Sequence, residues 1–381
     1  MHHRATIRHA VIAVALSAMA TISACGGASD SPSGPSNPSN PSNPSNPSTP
    51  TSSVATVTIS GTTTLQAGAT TQLTAVAKDA SGATVDSAIT WSSSAPTLIA
   101  VAGDGLVTAT HIASATITAT AGGKSATATV TSSLTPFTFN FDPTMSAADQ
   151  QTVKDAVQYA QTFYKTFYGR NVQNPSTING SVTDPGCARP GNSAFTGAGT
   201  VTFCINQLGW TNFGSVMKTK ITIHETFHLI QFEQHWIGIP TPGPDWMVEG
   251  SAELMGFLAI NSEGLLDFGT AKGCQVKQVS DFSHQMPPGL PPLSSLETQM
   301  QWQTVVGPAY SLALLGMDNL TSSKVSVGAA IKAYGDGVAA GTQPPVAFTN
   351  AFGMTTTAFY SQFLTYEAGL PVPVNYLCGG L

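Results

Sequence analysis

The sequence predicts a multidomain protein in which an all-β sandwich is followed by an α+β, mainly helical domain. The chain has 381 residues, which is too long for one ordinary domain. Residues 54–133 contain short segments that alternate apolar and polar residues, as strands with one buried face do. Residues 136–381 instead carry apolar residues at helical spacing, with one convincing strand among them.

The first 24 residues have the composition of an export signal. A short basic start precedes an apolar run at residues 10–22, which is too short to anchor a protein across a bilayer. Residues 22–25 read Ile-Ser-Ala-Cys and match the bacterial lipobox, in which the cysteine is acylated after cleavage. We expect residues 1–24 to be a lipoprotein signal peptide and Cys25 to carry the lipid. An ordinary signal peptide followed by a nearby cysteine is the alternative.

Residues 25–53 form the predicted tether. From residue 28 they hold a Ser-Asn-Pro repeat, and such proline-rich sequence without large side chains cannot bury a core. A semi-extended segment of this kind would hold the remainder of the chain away from a membrane. The expected location is the bacterial cell envelope, with the lipid anchor in the outer membrane or at the cell surface.

Four further cysteines fit an exported protein, since an even number in an oxidising compartment predicts disulfide bonds. Cys187, Cys204, Cys274 and Cys378 allow three pairings. We favour Cys187–Cys204, which closes a short loop, together with Cys274–Cys378, which ties the C-terminal segment back. A structural zinc site is the alternative, but the four cysteines lack paired C-x-x-C spacing.

Charge is sparse along the chain, with 14 Lys and Arg residues against 20 Asp and Glu residues. The sequence has no basic stripe of the kind that phosphate backbones require, so nucleic acid is not an expected partner. We expect a monomeric protein that contacts a membrane through its N-terminal lipid.

Residues 54–133 resemble bacterial immunoglobulin-like domains. The segments that carry the resemblance are Leu65-Gln-Ala-Gly, Ile89-Thr-Trp-Ser-Ser-Ser and Gly105-Leu-Val-Thr-Ala, the last of which precedes a final alternating strand. The resemblance implies an immunoglobulin-like β-sandwich, with Trp91 as the large aromatic residue of its core. Such domains serve as spacers or as adhesion modules, and the preceding tether favours a spacer.

The second domain has predicted helices along most of its length. Ser146 is a candidate N-cap of the first helix, and Gly169 can end it. Asp245 is the expected cap of a later helix. The strand is expected at residues 200–206, and further helices at residues 216–232, 245–260, 308–320, 326–333 and 355–368. Four phenylalanines are expected in the core, namely Phe348, Phe352, Phe359 and Phe363.

The helix at residues 216–232 contains the pattern His224-Glu225-Thr-Phe-His228. Residues four apart share a helix face, so His224 and His228 can direct two imidazoles at one metal ion. Glu225 can then serve as the base for a water molecule that the metal activates. Two buried histidines beside a surface glutamate are the alternative.

A third metal ligand distinguishes the classes of zinc hydrolase that share this pattern. The metzincins require a glycine and a third histidine at the positions of Gln231 and Gln234, so that class is disfavoured. The segment Trp246-Met-Val-Glu249-Gly-Ser-Ala-Glu253 follows instead, and with it the chain resembles the gluzincins, a class of zinc metallopeptidases. The resemblance implies a zincin-type domain at residues 136–381. It assigns Zn2+ to His224, His228 and Glu249, the general base to Glu225, and support of a zinc-bound histidine to Glu253.

Further roles follow from the same resemblance. Tyr310 is the first candidate for a hydrogen-bond donor to the oxyanion, and a tyrosine of the core is the alternative. His284, in a proline-rich loop, is a weaker candidate for the same role. The strand at residues 200–206 is placed to pair with a peptide substrate at its edge, or it is an internal strand. Glu233 has no assigned role and is expected at the surface.

The expected function is that of a cell-surface, zinc-dependent peptidase that hydrolyses peptide bonds with Glu225 as general base. The G-x-M-E-N segment by which aminopeptidases recognise a free N-terminus is absent from the sequence, which favours an endopeptidase. The alternatives are a zinc hydrolase of a non-peptide envelope substrate and a surface adhesion lipoprotein whose zincin domain binds without turnover.

Overall fold

The computed structural model describes residues 53–188, 193–237, 243–285, 291–298, 306–370 and 378. The predictions for the signal peptide, for Cys25 and for the tether up to residue 52 concern residues outside these ranges. Within the described ranges, no helix combines the length and the apolar character that crossing a membrane requires.

Residues 53–133 fold into a β-domain whose strands form small sheets. Its strands are β1 (Thr56–Ser60), β2 (Thr64–Gln66), β3 (Thr70–Gln72), β4 (Thr74–Lys78), β5 (Thr90–Ser93), β6 (Ile99–Val101), β7 (Leu106–Ala109), β8 (Ser114–Ala121) and β9 (Lys124–Ser133). They pair in the orders β2-β9-β8-β5, β3-β7-β6 and β1-β4. Buried residues such as Ala115 and Ile117 alternate along β8 with more exposed ones, because successive side chains point to opposite faces. Gly122 and Gly123 have positive φ angles, which suits the two-residue turn between β8 and β9.

After the β-domain, the chain forms a mixed sheet from four strands between residues 137 and 204. Its strands are β10 (Phe137–Phe141), β11 (Ser176–Ser181), β12 (Ala194–Gly197) and β13 (Thr200–Cys204), in the order β10-β11-β13-β12. β12 pairs antiparallel with β13, whereas the other strands run parallel. The strand predicted at residues 200–206 is therefore internal, with Val201 and Phe203 fully buried, and its interpretation as an edge is wrong. The edge strand next to it is β12, whose four residues are too few to show a recognisable alternation in the sequence.

The rest of this region is mainly helical. Its helices are α1 (Ala147–Phe163), α2 (Leu208–Thr211), α3 (Ser215–Glu233), α4 (Asp245–Ser262), α5 (Phe268–Gln285), α6 (Val306–Thr321), α7 (Val327–Ala339), α8 (Pro344–Phe352) and α9 (Thr356–Ala368). The predicted helices correspond to α1, α3, α4, α6, α7 and α9, and α7 continues beyond its predicted end. The sequence pattern does not predict α5 and α8, nor the four-residue α2. Polar residues interrupt the apolar repeat of α5, and α8 has only 9 residues and begins with two prolines.

Capping signals are confirmed at one helix start and wrong at another. Ser146 caps α1, since its side chain accepts a hydrogen bond from the backbone N–H three residues on, at 3.1 Å. A π-helical turn at Tyr164–Tyr168 continues α1 as far as Gly169, which takes a φ of 87°. Asp245 is the first residue of α4 rather than its cap. Pro244 precedes it with the restricted φ from which a helix can start, so the cap position falls on the proline.

Both predicted disulfide bonds are present. The Cα atoms are 5.2 Å apart in Cys187–Cys204 and 5.6 Å apart in Cys274–Cys378. The first bond closes the loop that carries β12, and the second ties residue 378 to α5. The four phenylalanines expected in the core are all buried, namely Phe348, Phe352, Phe359 and Phe363.

Candidate metal centre

The two histidines of the sequence pattern lie in the middle of α3. Residues 222–231 of this helix are all buried, so polar side chains among them need partners inside the protein. The Nε2 atoms of His224 and His228 lie 3.0 Å apart, and the two rings meet at 83°. The four-residue spacing thus brings both imidazoles to one point.

Helix α4 supplies a carboxylate to the same point. Oε2 of Glu249 lies 3.3 Å from Nε2 of His224 and 3.4 Å from Nε2 of His228. The ligand atoms of these three residues, the His-His-Glu cluster, all lie within 4.8 Å of one another. Gly250 lets α4 approach α6 closely, because a Cβ there would lie 2.4 Å from the carbonyl oxygen of Ala313. This close packing brings α6 to the cluster.

A second carboxylate of α4 supports the first histidine. Oε1 of Glu253 lies 3.2 Å from Nδ1 of His224, the ring nitrogen that does not face the cluster. Lys220 of α3 donates a hydrogen bond to the same oxygen, and both side chains of this ion pair are buried. Glu253 therefore orients His224 and is itself held by the charge of Lys220.

The charges of the cluster act strongly on one another. Burial disfavours the charged form of His224, but its contacts with Glu249 and Glu253 outweigh burial and raise its pKa to about 9. Burial also opposes protonation of His228, and Glu249 nevertheless raises the pKa of that residue. Burial alone would raise the pKa of Glu249, yet the two histidines hold it well below its ordinary value. The carboxylates thus attract positive charge to the point between the histidines.

Glu225 is buried and contacts the edge strand of the sheet. The hydroxyl of Thr196 on β12 lies 2.6 Å from Oε2 of Glu225 and 3.0 Å from its carbonyl oxygen. Only 8% of Glu225 is exposed, so this glutamate does not lie at the surface. The contact orients the carboxylate that follows His224 in the sequence.

Tyr310 of α6 lies beside the cluster. Its ring centroid is 6.1 Å from that of His224. The negative charge of Glu249, followed by burial, raises the pKa of Tyr310 well above its ordinary value. Its hydroxyl is protonated at neutral pH, as that of any tyrosine with an ordinary or raised pKa is, and can donate a hydrogen bond.

Comparison with known proteins identifies one part of the chain. Residues 53–132 match the family model of the bacterial Ig-like domain (group 2). This segment is a bacterial Ig-like domain. No curated protein matches the chain. Among solved structures, a GH10 xylanase from termite gut that contains a bacterial Ig-like domain matches over 60% of this chain and 69% of its own, at 13% identity and a TM-score of 0.15. A likeness at this level carries no conclusion about the activity of the chain.

The Ig-like domain contacts the helical region through α1. Gln151 donates a hydrogen bond to the carbonyl oxygen of Ile112 at 3.3 Å, and Gln158 donates one to that of Thr110 at 2.7 Å. The prediction of an immunoglobulin-like sandwich ahead of a mainly helical region is confirmed.

The structure brings six residues of the sequence prediction together, namely His224, Glu225, His228, Glu249, Glu253 and Tyr310. His284 lies in α5 rather than in a loop, and its side chain is outside the described part of the structure. Glu233 is not at the surface, because its side chain is 5% exposed and pairs with Arg170 at 2.5 Å. The segment after α1 folds back over the end of α3, which the sequence pattern does not reveal.

Three residues that contact the site are missing from the sequence prediction, namely Lys220, Gln231 and Thr196. Lys220 lies one turn before His224, and Gln231 lies three residues after His228, so helical periodicity carries a signal for both. Oε1 of Gln231 is 2.5 Å from Nδ1 of His228. Thr196 has no such signal, because it lies 29 positions before Glu225 on a different element.

Proposed function

We propose that residues 136–381 form a zinc-dependent peptidase domain of the gluzincin type. The main support is the convergence of His224, His228 and Glu249 on one point. Oε2 of Glu249 is buried and lies 3.3 and 3.4 Å from the two histidine Nε2 atoms without a hydrogen bond of good geometry, an arrangement that is costly unless positive charge, from protonated histidine or from a metal ion, lies at the point it faces. Two imidazole nitrogens and one carboxylate oxygen are also a common protein ligand set for catalytic zinc. The residues present therefore fit the ion.

In this proposal His224, His228 and Glu249 hold the zinc ion, and Glu225 is the general base. Bound zinc polarises a carbonyl group and lowers the pKa of water towards ~7. Thr196 donates a hydrogen bond to Oε2 of Glu225, and in this proposal the other carboxylate oxygen, Oε1, would take the proton from a water molecule at the site. The same oxygen then delivers that proton to the nitrogen of the leaving amine.

Tyr310 supplies the hydrogen-bond donor for the oxyanion. Its hydroxyl carries a proton at neutral pH, as that of an unperturbed tyrosine does, and this is the state that a donor requires. Glu253 and Lys220 take no part in proton transfer. Their contribution is to hold the ring of His224 in the orientation that directs Nε2 at the cluster.

The proposed substrate is a peptide or a protein. β12 is the last strand of the described sheet, and Thr196 on it contacts Glu225. An extended peptide that adds to β12 by strand pairing would therefore pass the base. In this proposal the substrate-binding edge is Ala194–Gly197 instead of residues 200–206. We propose an endopeptidase, in keeping with the absence of a G-x-M-E-N segment from the sequence.

We also propose that the chain is exported and lipid-anchored at Cys25. Bacterial Ig-like domains are often extracellular or surface-exposed, which supports a location in the cell envelope. The two disulfide bonds support an oxidising compartment. The Ig-like domain then acts as a spacer between the tether and the peptidase domain. The protein acts as a monomer and has no nucleic-acid partner in this proposal.

Zinc content and peptide hydrolysis test the proposal together. The purified protein is expected to hold one zinc ion per chain and to cleave members of a quenched peptide library. Glu225→Gln is expected to keep the zinc and lose cleavage, and Glu249→Ala is expected to lose the zinc. Stoichiometric zinc without cleavage of any peptide would contradict the peptidase assignment. Equal activity in Glu225→Gln would contradict the mechanism.

A further inference from the structure

Gln231 connects the two helices that carry the His-His-Glu cluster. It lies on α3, where it is fully buried, and its Oε1 is 2.5 Å from Nδ1 of His228. Its Nε2 donates hydrogen bonds to the carbonyl oxygen of Val248 at 2.9 Å and to Oγ of Ser251 at 2.8 Å, both on α4. The side-chain amide of Gln231 thus contacts one candidate ligand, His228, and the backbone next to a second one, Glu249.

The partners of the amide determine its orientation. The nitrogen must face the carbonyl oxygen of Val248, which can only accept, so the oxygen faces His228. Ser251 is consistent with this orientation, because its hydroxyl lies 3.2 Å from the carbonyl oxygen of Val248 and can donate there while accepting from Gln231.

The orientation of the amide selects the tautomer of His228. An amide oxygen accepts hydrogen bonds only, so Nδ1 of His228 is the nitrogen that carries a proton. In the neutral ring, Nε2 then keeps its lone pair and points it at the cluster. The other histidine has a different arrangement, because the acceptor beside Nδ1 of His224 is the charged carboxylate of Glu253.

We infer that Gln231 is a positioning residue of the metal centre, an inference that rests on the proposed zinc site. It sets His228 as an Nε2 ligand. Its hydrogen bond to the carbonyl oxygen of Val248 ties α4 to α3 and contributes to the stability of the protein without metal. The opposite interpretation is a buried amide that contributes to packing alone, so the test has to separate metal affinity from stability.

Gln231→Met is the informative substitution, because it keeps the length and approximate volume of the side chain and removes both hydrogen-bonding functions. Loss of a partner of a metal-bound histidine usually lowers metal affinity by about 10- to 100-fold. We expect a loss of this size in zinc affinity, measured on the full chain by competition with a chromophoric chelator. Urea denaturation of the metal-free protein gives the change in stability for the same variant.

Gln234→Met is the matched control, at the C-cap position directly after α3. Gln234 is also fully buried, but it accepts a hydrogen bond from Tyr168 and donates one to Asp336, away from the cluster. We expect this variant to lose stability and to bind zinc with the affinity of the unchanged protein. An equal loss of zinc affinity in Gln231→Met and Gln234→Met would overturn the inference.

Gln231→Glu keeps the acceptor for His228 and removes the donor to Val248. We expect it to bind zinc at least as tightly as the unchanged protein and to be less stable without metal. A tenfold loss of zinc affinity in this variant would overturn the inference even if Gln231→Met fails to fold. If the wild-type protein binds no zinc, the proposed function is contradicted. If Gln231→Met binds zinc with wild-type affinity, only the role of Gln231 is contradicted.

Discussion

Thr196 on the edge strand β12 and Glu225 on helix α3 are joined by a hydrogen bond of 2.6 Å between Oγ1 and Oε2. The hydroxyl has a single proton, and the carboxylate oxygen is closer to it than the carbonyl oxygen of Glu225 at 3.0 Å. The edge strand therefore restrains the orientation of the proposed general base. A peptide bound along β12 would meet a base that the same strand holds in place.

Thr196→Val removes this hydrogen bond and keeps the shape of the side chain. Hydrogen bonds to charged groups contribute about 1.5–3 kcal/mol, so we expect kcat for peptide hydrolysis to fall by about tenfold or more. KM is expected to change little, because the backbone of β12 remains available for pairing. Thr196→Ser keeps the hydroxyl and is expected to retain most of the wild-type kcat. The measurement is kcat and KM for both variants from steady-state kinetics. An unchanged kcat in Thr196→Val would show that the hydrogen bond does not act on the base.

Tyr310→Phe tests the donor to the oxyanion. Removal of one such donor typically lowers kcat by about 100- to 1000-fold, and we expect a loss of this order. Phenylalanine keeps the ring that lies 6.1 Å from His224, so zinc content and thermal stability are expected to stay close to those of the unchanged protein. Full activity in Tyr310→Phe would mean that the residue is a core tyrosine next to the site.

The stability of the metal-free protein is expected to depend on the protonation of His224. Its pKa is about 9 in the folded chain against an ordinary value of 6.5, so the folded state binds the proton more tightly than the unfolded state. The resulting stabilisation is complete below about pH 6.5 and is lost as the pH rises through about 9. We expect the free energy of unfolding in excess chelator to fall over this window, as measured by urea denaturation. A stability that stays level or rises there would contradict the prediction.

Zinc is expected to remove this pH dependence, since a ligating imidazole must be neutral and the metal takes the place of the proton. The same denaturation series with saturating zinc is the control for the metal-free measurement.

The disulfide bond Cys187–Cys204 is expected to matter more for activity than Cys274–Cys378. It closes a loop across 17 positions that includes β12, and removal of such a loop constraint lowers stability by about 3 kcal/mol. We expect the paired Cys187→Ser and Cys204→Ser change to lower kcat as well, because Thr196 lies in the released loop. The matched control is the paired Cys274→Ser and Cys378→Ser change. It opens a loop across 104 positions and is expected to lower stability more and kcat less. The reverse order of effects on kcat would contradict the prediction.

The two helices of the candidate site could be predicted because their signals are local. His224 and His228 are four residues apart on α3, and Glu249 and Glu253 are four residues apart on α4. Helical periodicity therefore determines which side chains share a face before any packing is known. Ser146 gave a correct helix start for a similar local reason.

Predictions that depended on contacts with segments distant in the sequence were less successful. Glu233 is a charged residue near a helix end, which usually indicates solvent, yet Arg170 from the segment after α1 pairs with it. The strand at Thr200–Cys204 has the pattern of a strand, but the pattern does not tell whether a neighbour lies on each side. That neighbour is β12, and with it the candidate substrate-binding edge moves to a segment that the sequence does not mark.

The sequence by itself determined the Ig-like segment, the motif helices and the three residue types of the His-His-Glu cluster. Only the tertiary structure decided that Thr196 meets Glu225 and that Gln231 meets the backbone of Val248. The physical reason is how far along the sequence each structural constraint acts. The backbone geometry of a helix relates residues three or four positions apart. Contacts across 29 and 17 positions arise only when the sheet edge and the helices pack around one buried core.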